Sequence, residues 1–180
     1  MTKTQAITVG GGCFWCTEAV FERVEGVVAV ESGYCNGHVV APTYEQVCGG
    51  DTGHVEVVRI EFDPARIGLR EILEIFFAVH DPTTLDRQGN DVGPQYRSGI
   101  YLHDEAQRAT ALAVRAEADA DAAHGGQVVT EVEMLRNYSR AEPYHQHYFA
   151  RNPWQGYCAW VVRPKVEKFE RAFQARVRRG

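Results

Sequence analysis

Ala6-Ile7-Thr8-Val9-Gly10-Gly11-Gly12-Cys13-Phe14-Trp15-Cys16 decides how this chain is read: an apolar strand runs into three glycines, and a helical pattern starts directly after them. Cys16, Val20, Phe21 and Val24 fall on one face of that helix. Glycines at a strand-to-helix turn allow a tight reversal, and the first helical turn offers unpaired N–H groups and the positive end of the helix dipole. A thiol there is biased toward thiolate, which makes Cys13 the candidate nucleophile. Phe14 and Trp15 beside it would form an apolar wall for a small methyl-bearing substrate.

Working outward, residues 27–34 and 55–62 read as a second and third strand, with a long loop over residues 37–53 between them. Leu69, Ile72, Leu73 and Phe76 keep the helical period, and residues 98–102 read as a further strand. The order βαββαβ predicts an α+β fold, a two-layer ferredoxin-like (split βαβ) core with a mixed or antiparallel sheet. An Ala-rich helix over residues 104–123 follows, stopped by His124-Gly125-Gly126, then a strand over residues 128–134 and a polar, aromatic stretch over residues 137–157. A basic helix is expected from Lys165, within a long C-terminal coil. No repeat or linker divides the 180 residues, so a single domain over residues 1–180 is expected.

Nineteen Lys and Arg against 24 Asp and Glu give a formal charge of −5, which argues against a general nucleic-acid binder. The basic tail, seven Lys or Arg and two Glu over residues 163–180, reads as a solvated helix face. The apolar run over residues 75–79 has five residues against about 20 for a membrane span. The run Met1-Thr2-Lys3-Thr4-Gln5 lacks an apolar signal region, and a cytoplasmic location is expected.

Five cysteines, at 13, 16, 35, 48 and 158, cannot all pair within one chain. Cys13 and Cys16 spell C-x-x-C, which leaves two alternatives open beside a lone nucleophile. One is a general dithiol–disulfide oxidoreductase using Cys13 and Cys16; the other is a zinc-binding interaction module completed by Cys35, Cys48, His38 or His54.

The sequence resembles peptide methionine sulfoxide reductases of the A type, which act on the S epimer. The resemblance is carried by Gly11-Gly12-Cys13-Phe14-Trp15-Cys16, Gly33-Tyr34, Pro42-Thr43-Tyr44-Glu45-Gln46-Val47 and Thr52-Gly53-His54-Val55-Glu56-Val57. It continues through Asp91-Val92-Gly93-Pro94-Gln95-Tyr96-Arg97-Ser98, Tyr144-His145-Gln146, Asn152-Pro153 and Tyr157-Cys158. It implies Cys13 as nucleophile, Glu56 as the acid that protonates the sulfoxide oxygen, and Tyr44 and Tyr96 as phenols donating to the same oxygen. Asp91 would position this network or the substrate, while His145 is given an orienting role and His54 a place in a turn. Attack would leave a sulfenic acid on Cys13, resolved by Cys158 on a mobile coil or by Cys16 one helical turn away. Cys35 and Cys48 would be passive. The resemblance implies no cofactor and no metal, a monomer, and oxidised proteins, peptides or free methionine sulfoxide as substrate. A thioredoxin-type reductant would recycle the disulfide, with neither nucleic acid nor membrane as a partner.

Overall fold

A computed structural model describes residues 3–179; Met1, Thr2 and Gly180, counted above in the N-terminal run and the basic tail, lie outside the described residues. The quoted stretch forms β1 (Gln5–Gly10) and α1 (Phe14–Phe21). β2 (Val27–Cys35) leads through a loop that contains a short helix, α2 (Tyr44–Cys48), into β3 (Val55–Phe62). α3 (Leu69–Val79), a hairpin of β4 (Arg87–Gln88) and β5 (Asp91–Val92), and β6 (Gly99–Leu102) follow. Then come α4 (Arg108–Ala120), β7 (Glu131–Met134), β8 (Ser139–Arg140), α5 (Tyr148–Arg151) and α6 (Arg163–Ala172).

The main sheet is mixed, in the order β7-β6-β1-β3-β2-β8; only β6 and β7 run parallel. β1 pairs antiparallel with both β3 and β6, and β3 pairs antiparallel with β2, which sets Ile7 opposite Ile60 and Tyr34 opposite Glu56. Ile7, Val9, Val58, Ile60, Phe62, Ile100 and Leu102 turn toward α1, α3, α4 and α6 and form the main core with Phe21, Phe76 and Phe169. Each such side chain removed from water contributes roughly 1.5–3 kcal/mol. Alternate positions Cys35, Val55, Val57 and Tyr101 build a smaller cluster on the opposite face.

Three expectations are corrected. The loop over residues 37–53 carries α2, because Thr43 and Gln46 form a capping box: Gln46 N–H donates to Thr43 Oγ1 (3.2 Å) and Thr43 N–H to Gln46 Oε1 (2.8 Å). The Ala-rich helix ends at Ala120, where Asp121 leaves helical geometry and caps a separate turn over Ala122–His124. The C-terminal coil is shorter than expected: a π-helical turn, Cys158–Val162, runs into α6, which agrees with the basic helix expected from Lys165. Val162, Val166 and Phe169 are buried there at helical spacing.

Gly12 shows how little freedom the strand-to-helix turn has. Its φ of +96 is a left-handed value that side chains resist, and a Cβ there would lie 2.6 Å from Gln88 Cγ. Gln88 is itself pinned, exchanging hydrogen bonds of 2.9 Å with Asp81 N and Asp81 O. The turn carrying Cys13 thus rests on the hairpin carrying Asp91.

Candidate active site

Cys13 is the residue on which α1 starts. Its carbonyl accepts Cys16 N–H (3.1 Å), and its side chain caps nothing, leaving the sulfur free at the helix N-terminus. One of the unpaired first-turn donors, Phe14 N–H, is satisfied from the sheet by Glu56 Oε1 (3.1 Å). The alternation of β3 puts Glu56 on the row of Val58, Ile60 and Phe62, facing the helices, so the carboxyl is fully buried. Burial pushes its pKa up to about 8; the Phe14 N–H opposes this, and the charge of Asp91 adds to it. Near neutral pH Glu56 is therefore a carboxylic acid, and its second oxygen, Oε2, is buried without a partner. An undirected acidic proton beside a thiol is an arrangement that can protonate the oxygen of a small neutral substrate.

The two thiols of the C-x-x-C titrate as a pair. Burial, then the Cys16 side chain and the Glu56 charge, hold Cys13 well above the usual thiol value. Cys16 is pulled down, first by the Cys13 side chain and then by Lys165 and Tyr157 against its burial. One proton therefore leaves the pair readily and the other is retained between the sulfurs. The helix terminus alone does not make Cys13 a thiolate, because burial opposes it.

Aromatic rings enclose these groups. Phe14 lies 5.1 Å from His145 and 5.6 Å from Tyr34, and Tyr44 packs 4.4 Å from His145. Trp15 stacks on Tyr148 at 3.7 Å and 4° and donates from Nε1 to His145 Nδ1 (3.0 Å), which leaves the His145 proton on Nε2. Burial lowers the His145 pKa, in keeping with a neutral ring. Tyr44 and Tyr96 are both raised by burial, Tyr96 next by the Glu56 charge, so both remain protonated donors.

Asp91 accepts Tyr157 O–H at 2.6 Å, and the same hydroxyl lies 3.9 Å from Cys16 Sγ. Tyr157, Tyr34, Tyr148 and Glu142, which accepts Tyr34 O–H (2.9 Å) and Tyr44 N–H (2.9 Å), complete the site and were given no role from sequence. Tyr157 was visible there as the neighbour of Cys158, but only the fold shows its hydroxyl between Asp91 and Cys16. Cys158 is buried, and its thiol is raised by burial and by the charge of Cys16. Cys35 lies in the cluster on the opposite sheet face, whereas Cys48 is exposed at the end of α2. The zinc set Cys13, Cys16, Cys35, Cys48, His38 and His54 is not brought together. Among the described residues, the only three such ligand atoms within 4.8 Å of one another belong to Glu18, Glu22 and His147.

A thiol at a helix start, a neutral carboxyl and phenolic hydroxyls thus lie together in an aromatic box, the kinds of group a thiol-dependent oxidoreductase uses. The family model for peptide methionine sulfoxide reductase matches residues 5–177. The peptide methionine sulfoxide reductase MsrA of Ralstonia nicotianae is 54% identical over 184 residues, covering 98% of this chain and 96% of that protein. The reduced form of Mxr1 from Saccharomyces cerevisiae superposes with a TM-score of 0.80 at 36% identity, covering 87% of this chain and 90% of that one. Mxr1 in complex with Trx2 gives a TM-score of 0.56 at 26% identity, covering 81% and 85%. The chain belongs to the peptide methionine sulfoxide reductase family, and it is an oxidoreductase that reduces peptide methionine sulfoxide. No helix among the described residues is long and apolar enough to cross a membrane.

Proposed function

We propose that the chain reduces the S epimer of methionine sulfoxide, free or in peptides and proteins, by direct attack of Cys13 on the sulfoxide sulfur. The observation that carries this reading is Glu56: fully buried, bonded through Oε1 to the amide next to Cys13, with Oε2 unpartnered. The Cys13 proton passes to the Cys16 thiolate as Cys13 attacks, the Oε2 proton goes to the sulfoxide oxygen, and Tyr44 and Tyr96 donate to that oxygen as its S–O bond weakens. The new Cys13–sulfur bond then breaks as the protonated oxygen passes to Cys13: methionine leaves as the thioether with the sulfur electron pair, and Cys13 becomes a sulfenic acid. Phe14 and Trp15 hold the methyl group, and Asp91, through Tyr157, orders the C-x-x-C end of the site. The strand order β6-β1-β3-β2 supports reading the core beneath as the ferredoxin-like split βαβ plan.

Cys16 rather than Cys158 takes the first resolving step. Its thiol is held low beside Cys13, whereas Cys158 is buried in a helical turn and raised. Cys16 attacks the sulfenic sulfur, the Cys13–Cys16 disulfide forms and water leaves. Cys158, whose thiol responds to the Cys16 charge, is the next thiol for exchange, and a thioredoxin-type dithiol then takes the oxidising equivalents. The solved complex of Mxr1 with Trx2 supports that choice of reductant. No cofactor takes part, and one chain over residues 1–180 holds the whole site.

Incubation with a racemic methionine sulfoxide peptide and dithiothreitol, followed by chromatography, is expected to consume one epimer only, and Cys13→Ser to abolish turnover. Loss of both epimers, or turnover by Cys13→Ser, overturns the reading. Mass mapping after one turnover without reductant is expected to give the Cys13–Cys16 bridge in Cys158→Ser. A lasting sulfenic acid in that variant would return the first step to Cys158.

A further inference from the structure

The residues that enclose Trp15 do not come from its own helix. His145 and Tyr148 lie on a strap, residues 143–149, between β8 and the end of the chain, and something must hold that strap against α1. Two buried side chains do so. Gln146 accepts Ser32 N–H at 3.0 Å and donates to Ser32 O at 2.9 Å and Ala141 O at 3.0 Å, which ties the strap to β2. The second is Glu18. It lies three residues after Trp15 on α1, on the same side of the helix, and is fully buried. Glu18 Oε2 accepts Ser32 Oγ–H (3.0 Å), and Glu18 Oε1 accepts the backbone N–H of Tyr148 (3.2 Å).

We propose that Glu18 is a positioning residue, a buried anchor that fixes Tyr148 face to face on Trp15 and so sets the apolar wall of the substrate methyl site. The geometry allows little else. Trp15 and Glu18 are neighbours on one helix surface; Tyr148 meets the first with its ring and the second with its amide. A carboxyl in this place costs desolvation, seen in a pKa raised chiefly by burial. An apolar residue would avoid that cost but would leave Tyr148 N–H and Ser32 Oγ without their acceptors. The Trp15 indole is thereby held from three sides: stacked by Tyr148, hydrogen bonded by His145, and edge-on to Tyr157 at 5.8 Å. This rests on the reading of Trp15 as part of the methyl site.

The test uses the full chain with Trp154→Phe and Trp160→Phe, both exposed, so that Trp15 is the sole tryptophan fluorophore. In that background Glu18→Ala is expected to raise KM for a methionine sulfoxide peptide about tenfold with kcat changed less than about threefold, as loosened positioning predicts. Acrylamide quenching of Trp15 should rise with it. Glu18→Gln, whose amide oxygen still accepts Tyr148 N–H and whose NH₂ donates to Ser32 Oγ, should restore both readouts to within about twofold. Tyr148→Leu, which removes the ring but keeps the amide, should raise KM similarly, and combination with Glu18→Ala should be less than additive. Unchanged KM and quenching in Glu18→Ala, or full additivity with Tyr148→Leu, overturns the proposal. If Glu18→Ala does not fold, Ser32→Ala decides: a rise in quenching with preserved circular dichroism supports it, and none overturns it. Trp15→Ala is the control: should its KM equal that of the parent, the methyl-site reading fails, while the quenching data still judge the anchor.

Discussion

Strand β3 carries two glutamates, Glu56 and Glu61, and the difference between them is the difference between a reagent and a surface group. Glu56 shares a face with Val58, Ile60 and Phe62, sits under the start of α1 and has its pKa raised to about 8 by burial. Glu61 has the opposite parity, shares its face with Arg59 (Nη1 to Oε2, 3.6 Å), and accepts a hydrogen bond from Thr4 Oγ1 at 2.8 Å. One strand, one residue type and an odd spacing give a buried carboxyl with a raised pKa and a part-exposed one paired with Arg59. The cysteines repeat the lesson. Cys16 faces the helix-covered side and titrates with Cys13, whereas Cys35 lies behind the sheet, where burial above all, with the charges of Glu131 and Glu133, raises its thiol against Arg97 and Arg136.

The largest test of this contrast is rate. Glu56→Gln keeps the shape and can still accept Phe14 N–H but has no acidic proton, so single-turnover methionine release should fall by about 10²–10⁴. Glu61→Gln should change it less than about twofold. Equal losses in the two variants would mean that strand position, not the buried acid, matters.

The next effect is the pH dependence of the same step. Above about pH 8 Glu56 ionises and the donor is lost, so the single-turnover rate should fall about tenfold per pH unit. Below that value the limb should flatten or reverse, as the Cys13–Cys16 pair gains protons. Glu61→Gln should retain the alkaline fall and Glu56→Gln should lack it; an alkaline limb in Glu56→Gln would assign it to another group.

Glu56 entered through the resemblance, but the parity of β3 explains its burial. In Val55-Glu56-Val57-Val58-Arg59-Ile60-Glu61-Phe62 the alternate row is Glu56, Val58, Ile60, Phe62, an acid in an apolar file, and β3 runs over the residues read for it. β1, α1 and α3 were equally plain, each with a dense apolar face. What sequence hid depends on long-range contact. Tyr148 N–H reaches Glu18 across 130 positions and Tyr157 reaches Asp91 across 66, and no local pattern announces either. α2 had a local signal, Thr43 followed by Gln46, hidden among turn-forming residues. The basic helix expected from Lys165 is present as α6, with Val166 and Phe169 buried at helical spacing, whereas the π-helical turn over Cys158–Val162 ahead of it carried no local signal.

The smallest effect is on stability, and its sign separates the two glutamates. Glu56 binds its proton up to about pH 8 in the folded chain, but releases it near 4.3 when unfolded. Between those values the native state holds more protons than the unfolded state, so stability is greatest below about pH 4, declines as pH rises, and levels off above about pH 8. Other groups contribute to the total curve, so the informative quantity is the difference between variant and wild type. Measured by urea unfolding at pH 5 and pH 9, Glu56→Gln should become more stable relative to wild type at the higher pH, where it spares the chain a buried carboxylate. Glu61→Gln removes only a half-exposed pair and should shift the midpoint by the equivalent of less than about 1 kcal/mol at either pH. A Glu56→Gln profile parallel to that of wild type would show a carboxyl ionised in both states, and with it the acid that separates the two ends of β3 would be lost.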